Sequence, residues 1–145
     1  MKDDYLKYYR IVRYFMQAKH NLSQAEIETL IFLRSEKYFT MKNFEVFNEI
    51  FVWDKERFNK LRDNGWIVEF PKRKLSRQMY ELSFKAKRMV TEIYKILDGQ
   101  PISEVQKNNP LFAARVPYTH KVYRNAIKEM NEFRRQQRHL SQKSQ

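Results

Sequence analysis

The apolar positions of this chain recur with a helical period over most of its length. Over residues 4–19, Tyr5, Tyr8, Tyr9, Val12, Phe15 and Met16 fall at i, i+3, i+4, i+7, i+10 and i+11, on one helix face. Asp3 and Asp4 precede it, where the helix dipole favours carboxylates. Leu6, Ile11 and Tyr14 lie off that face, and a helix apolar on a second side implies a second partner such as another subunit. Ser23 and Glu26 match the S-x-x-E capping box, with Leu22 and Ile27 at the flanking staple positions. Ile27, Leu30, Ile31 and Leu33 then predict a helix running to about Tyr38. Thr40 is placed to cap a short third helix over 41–50, with Phe44, Phe47 and Ile50 inward. Phe51-Val52-Trp53 reads as an apolar turn. Asp54 is placed to cap a fourth helix over 55–64 that buries Phe58 and Leu61. Gly65, able to take left-handed backbone, ends it.

Beyond Gly65 the period shortens to two. Residues 66–70 read as a strand, 71–76 as a basic hairpin tip and 77–82 as a returning strand. Ser83 caps a further helix to Leu97, with Met89, Val90, Ile93, Tyr94 and Leu97 on one face, and Asp98-Gly99-Gln100-Pro101 stops it. Residues 100–118 read as a connector punctuated by Pro101, Pro110 and Pro117, in which Leu111-Phe112-Ala113-Ala114 is apolar enough to dock. Residues 119–138 predict a last helix with Val122, Ala126, Met130 and Phe133 in line, and 134–145 a polar, basic, frayed end. The expected organisation is therefore a domain over 1–99, a connector over 100–118 and a basic helix and tail over 119–145. With only 2 Gly and 4 Pro, the chain lacks the turn residues of a β-sandwich or barrel, so the expected fold is mainly α with one two-stranded β-hairpin.

Charge changes the picture most. Lys and Arg number 29 against 17 Asp and Glu, a net charge of +12, which attracts polyanions such as DNA, RNA or an anionic surface. No cysteine is present, which removes disulfides, thiolate metal sites and cysteine nucleophiles. No stretch approaches 18 apolar residues, and the opening MKDDYLKYYR lacks the apolar run of a signal peptide, so no membrane partner is expected and a cytoplasmic location is. His20, His120 and His139 are scattered without metal-ligand spacing, and Gly65 and Gly99 stand alone rather than in a phosphate loop. Glu45, Glu49, Asp54 and Glu56 sit close in sequence, as in a metal nuclease, but also where helices need solvated faces. No metal, cofactor or catalytic set is expected, and the chain reads as a binding protein rather than an enzyme.

Helix, helix, short helix, helix, strand, basic turn, strand, helix is the order of a winged helix-turn-helix, and the chain resembles the MarR family of transcription regulators over residues 5–98. The resemblance is carried by Leu22-Ser23-Gln24-Ala25-Glu26, by the junction Leu61-Arg62-Asp63-Asn64-Gly65-Trp66-Ile67, by Lys72-Arg73-Lys74 with Arg77, and by Tyr80-Glu81-Leu82-Ser83-Phe84-Lys85-Ala86. It implies a homodimer, formed through residues 5–19 and 84–98, that binds double-stranded DNA and regulates transcription; residues 119–138, outside the resemblance, are a further candidate for the dimer contact. In that frame residues 55–64 form the recognition helix, and its outward residues read base edges. Arg57 and Asn59 are candidates for bases, because Arg grips guanine and Asn grips adenine with two hydrogen bonds each; Lys55, Lys60 and Arg62 are candidates for phosphates. Lys72, Arg73, Lys74 and Arg77 crowd one hairpin, a repulsion that makes sense beside a DNA backbone or minor groove. Thr40, Lys42 and Asn43 open the third helix within reach of phosphate.

Other readings stay open on the same residues. A structural or assembly protein, such as a virion or nucleoprotein component, can keep this fold and bind nucleic acid without selectivity or an acidic protein instead. The expected cytoplasmic location is nucleoid-associated if the chain is bacterial, and a phage-encoded origin is open. An RNA-binding winged helix is a third option. The C-terminal helix carries Lys121, Arg124, Lys128, Arg134, Arg135 and Arg138, a second phosphate-binding surface, an arm for another partner or a solvated basic face. Tyr5, Tyr8, Tyr9, Phe15 and Tyr94 are either core or the lining of a ligand pocket of the kind the resemblance implies.

Overall fold

The computed structural model describes residues 4–47, 49, 55–70 and 78–143. The described chain is mainly helical with one small antiparallel sheet. It divides into two compact units, residues 23–92 and residues 1–22 with 93–145.

In the unit of residues 23–92, α2 (Gln24–Glu36) follows α1 of the other unit and starts as the sequence predicts. Ser23 Oγ accepts from the Glu26 amide at 3.1 Å, and Glu26 Oε1 accepts from the Ser23 amide at 2.9 Å, so two amides with no partner inside the helix are satisfied. Ser23→Ala removes half of this exchange and is expected to cost about 1 kcal/mol in a urea melt, whereas Ser23→Asp keeps it. The helix stops at Glu36, not Tyr38, because Lys37 takes φ 62° and ψ −73° and turns the chain into a two-residue strand, β1 (Tyr38–Phe39). α3 (Met41–Phe47) follows; it is shorter than the expected 41–50. α4 (Lys55–Asp63) ends at a turn where Gly65 has φ 81°, a left-handed conformation that favours glycine. β2 (Ile67–Glu69) and β3 (Tyr80–Leu82) are the paired strands expected on either side of the hairpin segment, each shorter than expected.

The sheet order is β1-β3-β2, all antiparallel. Tyr38 lies opposite Glu81 and Phe39 opposite Tyr80, while Ile67, Val68 and Glu69 lie opposite Leu82, Glu81 and Tyr80. The core of this unit gathers Ile27, Leu30 and Leu33 from α2, Phe58 and Leu61 from α4, and Phe39, Trp66, Ile67, Tyr80 and Leu82 from the sheet and its approach. Ser83 Oγ accepts from the Ala86 amide at 3.2 Å and so caps α5 (Phe84–Leu97), as expected. The buried face of α5 is Ala86, Met89, Val90, Ile93 and Ile96; Tyr94, expected on it, is exposed.

The other unit holds α1 (Tyr5–His20), the end of α5, a 3-10 turn at Pro110–Phe112 and α6 (Tyr118–Lys143). Asp4 caps α1 by accepting from the Lys7 amide at 3.2 Å, and Asn21 ends it in left-handed backbone at φ 54°. Tyr8, Val12, Phe15 and Met16 are buried as their spacing predicts. Ile11 is buried too, although it falls off that face, and Tyr5 is exposed although it falls on it. Leu111 is buried in the 3-10 turn, so the apolar connector segment does dock. α6 is longer than expected: the stretch from 134 is helical through Lys143 rather than frayed. Its buried face is Ile127, Met130, Asn131 and Arg134, turned from the expected Val122-Ala126-Met130-Phe133 line, with Val122 exposed.

Two buried polar residues explain that turn. Asn131 Nδ2 donates to the Ile102 carbonyl at 2.8 Å and its Oδ1 accepts from the Ile102 amide at 3.1 Å, tying the connector to α6. Arg134 is buried, and its guanidinium donates to the carbonyls of Ile96, Leu97 and Gln100 at the C-terminal end of α5. The same guanidinium lies 4.8 Å from the Tyr8 ring centroid. Tyr14 stacks on Tyr123 at 3.8 Å, and its hydroxyl oxygen is 2.7 Å from His120 Nδ1. Burial first, and Tyr123 second, holds the Tyr14 phenol above its usual value of 10.0. Arg134 therefore does not belong to the surface array of cations in which the sequence places it.

Candidate nucleic-acid interface

The sequence-predicted site residues that the structure describes all fall in the unit of residues 23–92. Thr40 and Asn43 form a reciprocal cap at the start of α3. Thr40 Oγ1 accepts from the Asn43 amide at 3.1 Å, while Asn43 Oδ1 accepts from the Thr40 amide at 2.9 Å and lies 3.0 Å from Thr40 Oγ1. The local geometry thus commits the Thr40 hydroxyl and the Asn43 carbonyl oxygen to the backbone. Lys42, between them, is exposed.

α4 is anchored by Phe58 and Leu61, both fully buried. With 3.6 residues per turn, the ridge opposite those two consists of Glu56, Asn59, Lys60 and Asp63, at i, i+3, i+4 and i+7. Two carboxylates, an amide and an ammonium group therefore point furthest from the core. Lys55 and Arg62 lie on one flank of that ridge and Arg57 on the other. Arg62 and Arg57 are half-buried, and Lys55 is exposed.

Neighbouring groups restrain several of these side chains. Arg62 Nε is 3.8 Å from Asp63 Oδ1, and its guanidinium lies 5.9 Å from the Phe58 ring. Lys60 Nζ is 3.7 Å from Glu26 Oε1. Glu26 is only 3 % exposed, and its Oε2 is buried without a hydrogen-bond partner among the described residues. Lys60 thus offsets a charge whose burial is otherwise costly. Ser23, Glu26, Glu56, Arg57 and Lys60 line a shallow concavity beside α4.

The arrangement has a definite chemical capacity. An amide on the ridge can pair with adenine, and a carboxylate can accept from the amino group of cytosine. Cations on both flanks can donate to phosphate oxygens. Asn59 lies on the ridge, and Arg57 lies on a flank of it. Lys72, Arg73, Lys74 and Arg77 lie outside the described residues, as does Asp54. The chain on either side of that basic segment is paired: the Phe70 amide donates to the Met79 carbonyl at 2.8 Å, and Glu69 faces Tyr80.

Two residues important to this region carry no signal in the sequence as a site. Lys85 Nζ donates to the Asn64 carbonyl at 2.8 Å and lies 4.1 Å from the Trp66 ring, clamping the turn between α4 and β2. Glu26 is readable as half of a capping box, but not as the partner of Lys60. Among the described residues no group of three His, Asp or Glu side chains is placed to hold a metal ion. No helix among them is long and apolar enough to cross a membrane. Comparison with known proteins brings no relative: no family model, no curated protein and no solved structure matches this chain.

Proposed function

We propose that this chain is a DNA-binding transcriptional regulator, not an enzyme, that grips double-stranded DNA with a winged helix-turn-helix formed by residues 23–92. One observation carries the reading: the order α2-β1-α3-α4-β2-β3 closed by a β1-β3-β2 sheet. β1 ties the β2–β3 hairpin back to the chain just ahead of α3, and Phe58 of α4 packs edge-on against Tyr80 of β3 at 4.9 Å. A short helix with a polar ridge and the root of a cationic hairpin thus share one small framework. That is what a recognition helix in the major groove and a wing on the backbone or minor groove require. α4 reads bases through Asn59, with Glu56 beside it, and holds phosphates through Lys55, Arg57, Lys60 and Arg62. Lys42, Asn43 and the cations at 72, 73, 74 and 77 extend the phosphate contacts. The MarR-like organisation extends to a homodimer, for which exposed Tyr5, Leu6 and Tyr94 supply apolar surface.

A second reading, unselective nucleic-acid binding in an assembly role, is favoured by the carboxylates at Glu56 and Asp63 on the ridge of α4. The two readings part on one pair of variants. Under the regulator reading, Asn59→Ala loses about 1–3 kcal/mol on the preferred duplex and relaxes preference at one position, while Arg57→Ala weakens all duplexes alike. Competition binding with a set of single-base variants of the preferred duplex measures both. Equal loss on every sequence for Asn59→Ala leaves only the unselective reading.

A further inference from the structure

The positive charge of the chain is unevenly divided between its two units. Residues 23–92 carry 14 Lys and Arg against 11 Asp and Glu, a net of +3; residues 1–22 and 93–145 carry 15 against 6, a net of +9. The helix-turn-helix reading therefore accounts for only a small part of the field that first suggests a polyanion. The rest is concentrated on α6 and α1.

On α6 the burial of Ile127, Met130, Asn131 and Arg134 fixes which face is solvated. Along one flank, about 90–130° around the helix from the buried line, run Lys121, Lys128 and Arg135, spaced i, i+7 and i+14, all exposed, with His139 and Lys143 continuing the stripe; Arg138, one turn beyond Arg134, is exposed past the end of the buried line. Each seven-residue step is about 10.5 Å, so the stripe from 121 to 143 is about 33 Å long. Its carboxylates are Glu129 and Glu132, and Glu132 accepts from Arg135 at 2.7 Å and from Gln136 at 3.3 Å. After Glu132 the sequence contains no carboxylate side chain, only Arg, Lys, Gln, Ser, His and two apolar residues. Arg124 is partly withdrawn by donating to the Ala113 carbonyl at 3.4 Å; it and Lys128, whose position is exposed, lie 6.0 and 5.8 Å from the Phe112 ring centroid, and Arg134 is buried.

We propose that this face of α6 is a second nucleic-acid surface, a track of cations that binds duplex phosphates without reading sequence. The composition separates this partner from others. A membrane-surface helix needs a continuous apolar face, and a protein-docking helix needs clustered apolar or aromatic anchors. Here the exposed apolar residues are Tyr118 and Val122 at one end and Leu140 near the other. Arginine forks suit phosphate oxygens, and glutamines are neutral donors of the kind that contact a DNA backbone.

The test is the salt dependence of binding by the whole chain to a fluorescent random-sequence duplex of about 24 base pairs, followed by anisotropy from about 0.05 to 0.3 M salt. The variant Lys121→Gln, Lys128→Gln, Arg135→Gln, Arg138→Gln is expected to flatten the log–log slope by about 3 to 4 and to lower affinity at least tenfold at about 0.1 M salt. A charge-keeping variant (Lys121→Arg, Lys128→Arg, Arg135→Lys, Arg138→Lys) is expected to keep the parent slope. Circular dichroism checks that α6 survives, and the pair Arg135→Gln, Arg138→Gln, at exposed positions, should still flatten the slope by about 2. An unchanged slope in folded protein overturns the proposal. So does an unchanged slope combined with lost binding to poly-glutamate, which would assign the face to an acidic protein. The outcome is independent of the reading of α4: if Asn59→Ala leaves sequence preference untouched, the α6 variants must still flatten the slope.

Discussion

Phe58→Ala is expected to destabilise the protein by about 3–5 kcal/mol and, under the proposed function, to take duplex binding down with it. α4 is nine residues long, too short to be stable as an isolated helix in water. Among the described residues only Phe58 and Leu61 of this helix are buried. Phe58 has no solvent exposure, meets Tyr80 edge-on and carries the Arg62 guanidinium over its ring. Truncation leaves a cavity against the sheet and takes away half of what holds the helix in place. Phe58→Leu keeps most of the volume and should lose less than about 1.5 kcal/mol. Urea midpoints at matched slope measure the difference. A loss below about 1 kcal/mol for the alanine variant would mean that α4 is held by something other than this contact.

Arg134→Ala is expected to be about as severe, at about 3–5 kcal/mol, although the residue looks like one more surface cation in the sequence. Its guanidinium satisfies carbonyls at the C-terminal end of α5 that have no partner inside that helix, and its positive charge sits at the negative end of the helix dipole. Removing it takes a donor from the partly buried Leu97 and Gln100 carbonyls, leaves the Ile96 carbonyl with the Gly99 amide alone, and opens a cavity where the buried guanidinium lay over Tyr8. Arg134→Lys retains the charge but not the fork, so it should recover less than half of the loss. The neighbour gives the control: Arg135 is exposed and pairs only with Glu132 among the described residues, so Arg135→Ala should move stability by no more than about 0.5 kcal/mol. Thermal melts of the two alanine variants side by side decide it. Equal melting temperatures would contradict the capping role.

These two residues also mark where the sequence is readable and where it is not. Phe58 was legible because a helix stripe is a local pattern, and Ser23, Glu26, Thr40 and Ser83 were legible because a cap needs residues only three apart. Arg134 was not, because its acceptors lie 34 to 38 residues earlier in the chain. With Asn131 and Arg134 on the inner side of α6, an apolar-only search turns the buried face toward Val122 and Phe133. β1 was missed for a similar reason: two residues carry no period, and the strand exists only by pairing with Glu81 and Tyr80. The site was partly legible. The inner face of α4 followed from its pattern, and the same wheel places Glu56 and Asp63 on the ridge. The links from Lys60 to Glu26 and from Lys85 to Asn64 are tertiary, and no spacing rule anticipates them.

The most direct measurement is selection from a random pool of short duplexes by the purified protein at about 0.15 M salt, with sequencing of what is retained. The account predicts enrichment of a near-palindromic motif with half-sites about one helical turn apart, the mark of a dimer reading DNA through α4. Retention without enrichment, or no retention, would contradict it.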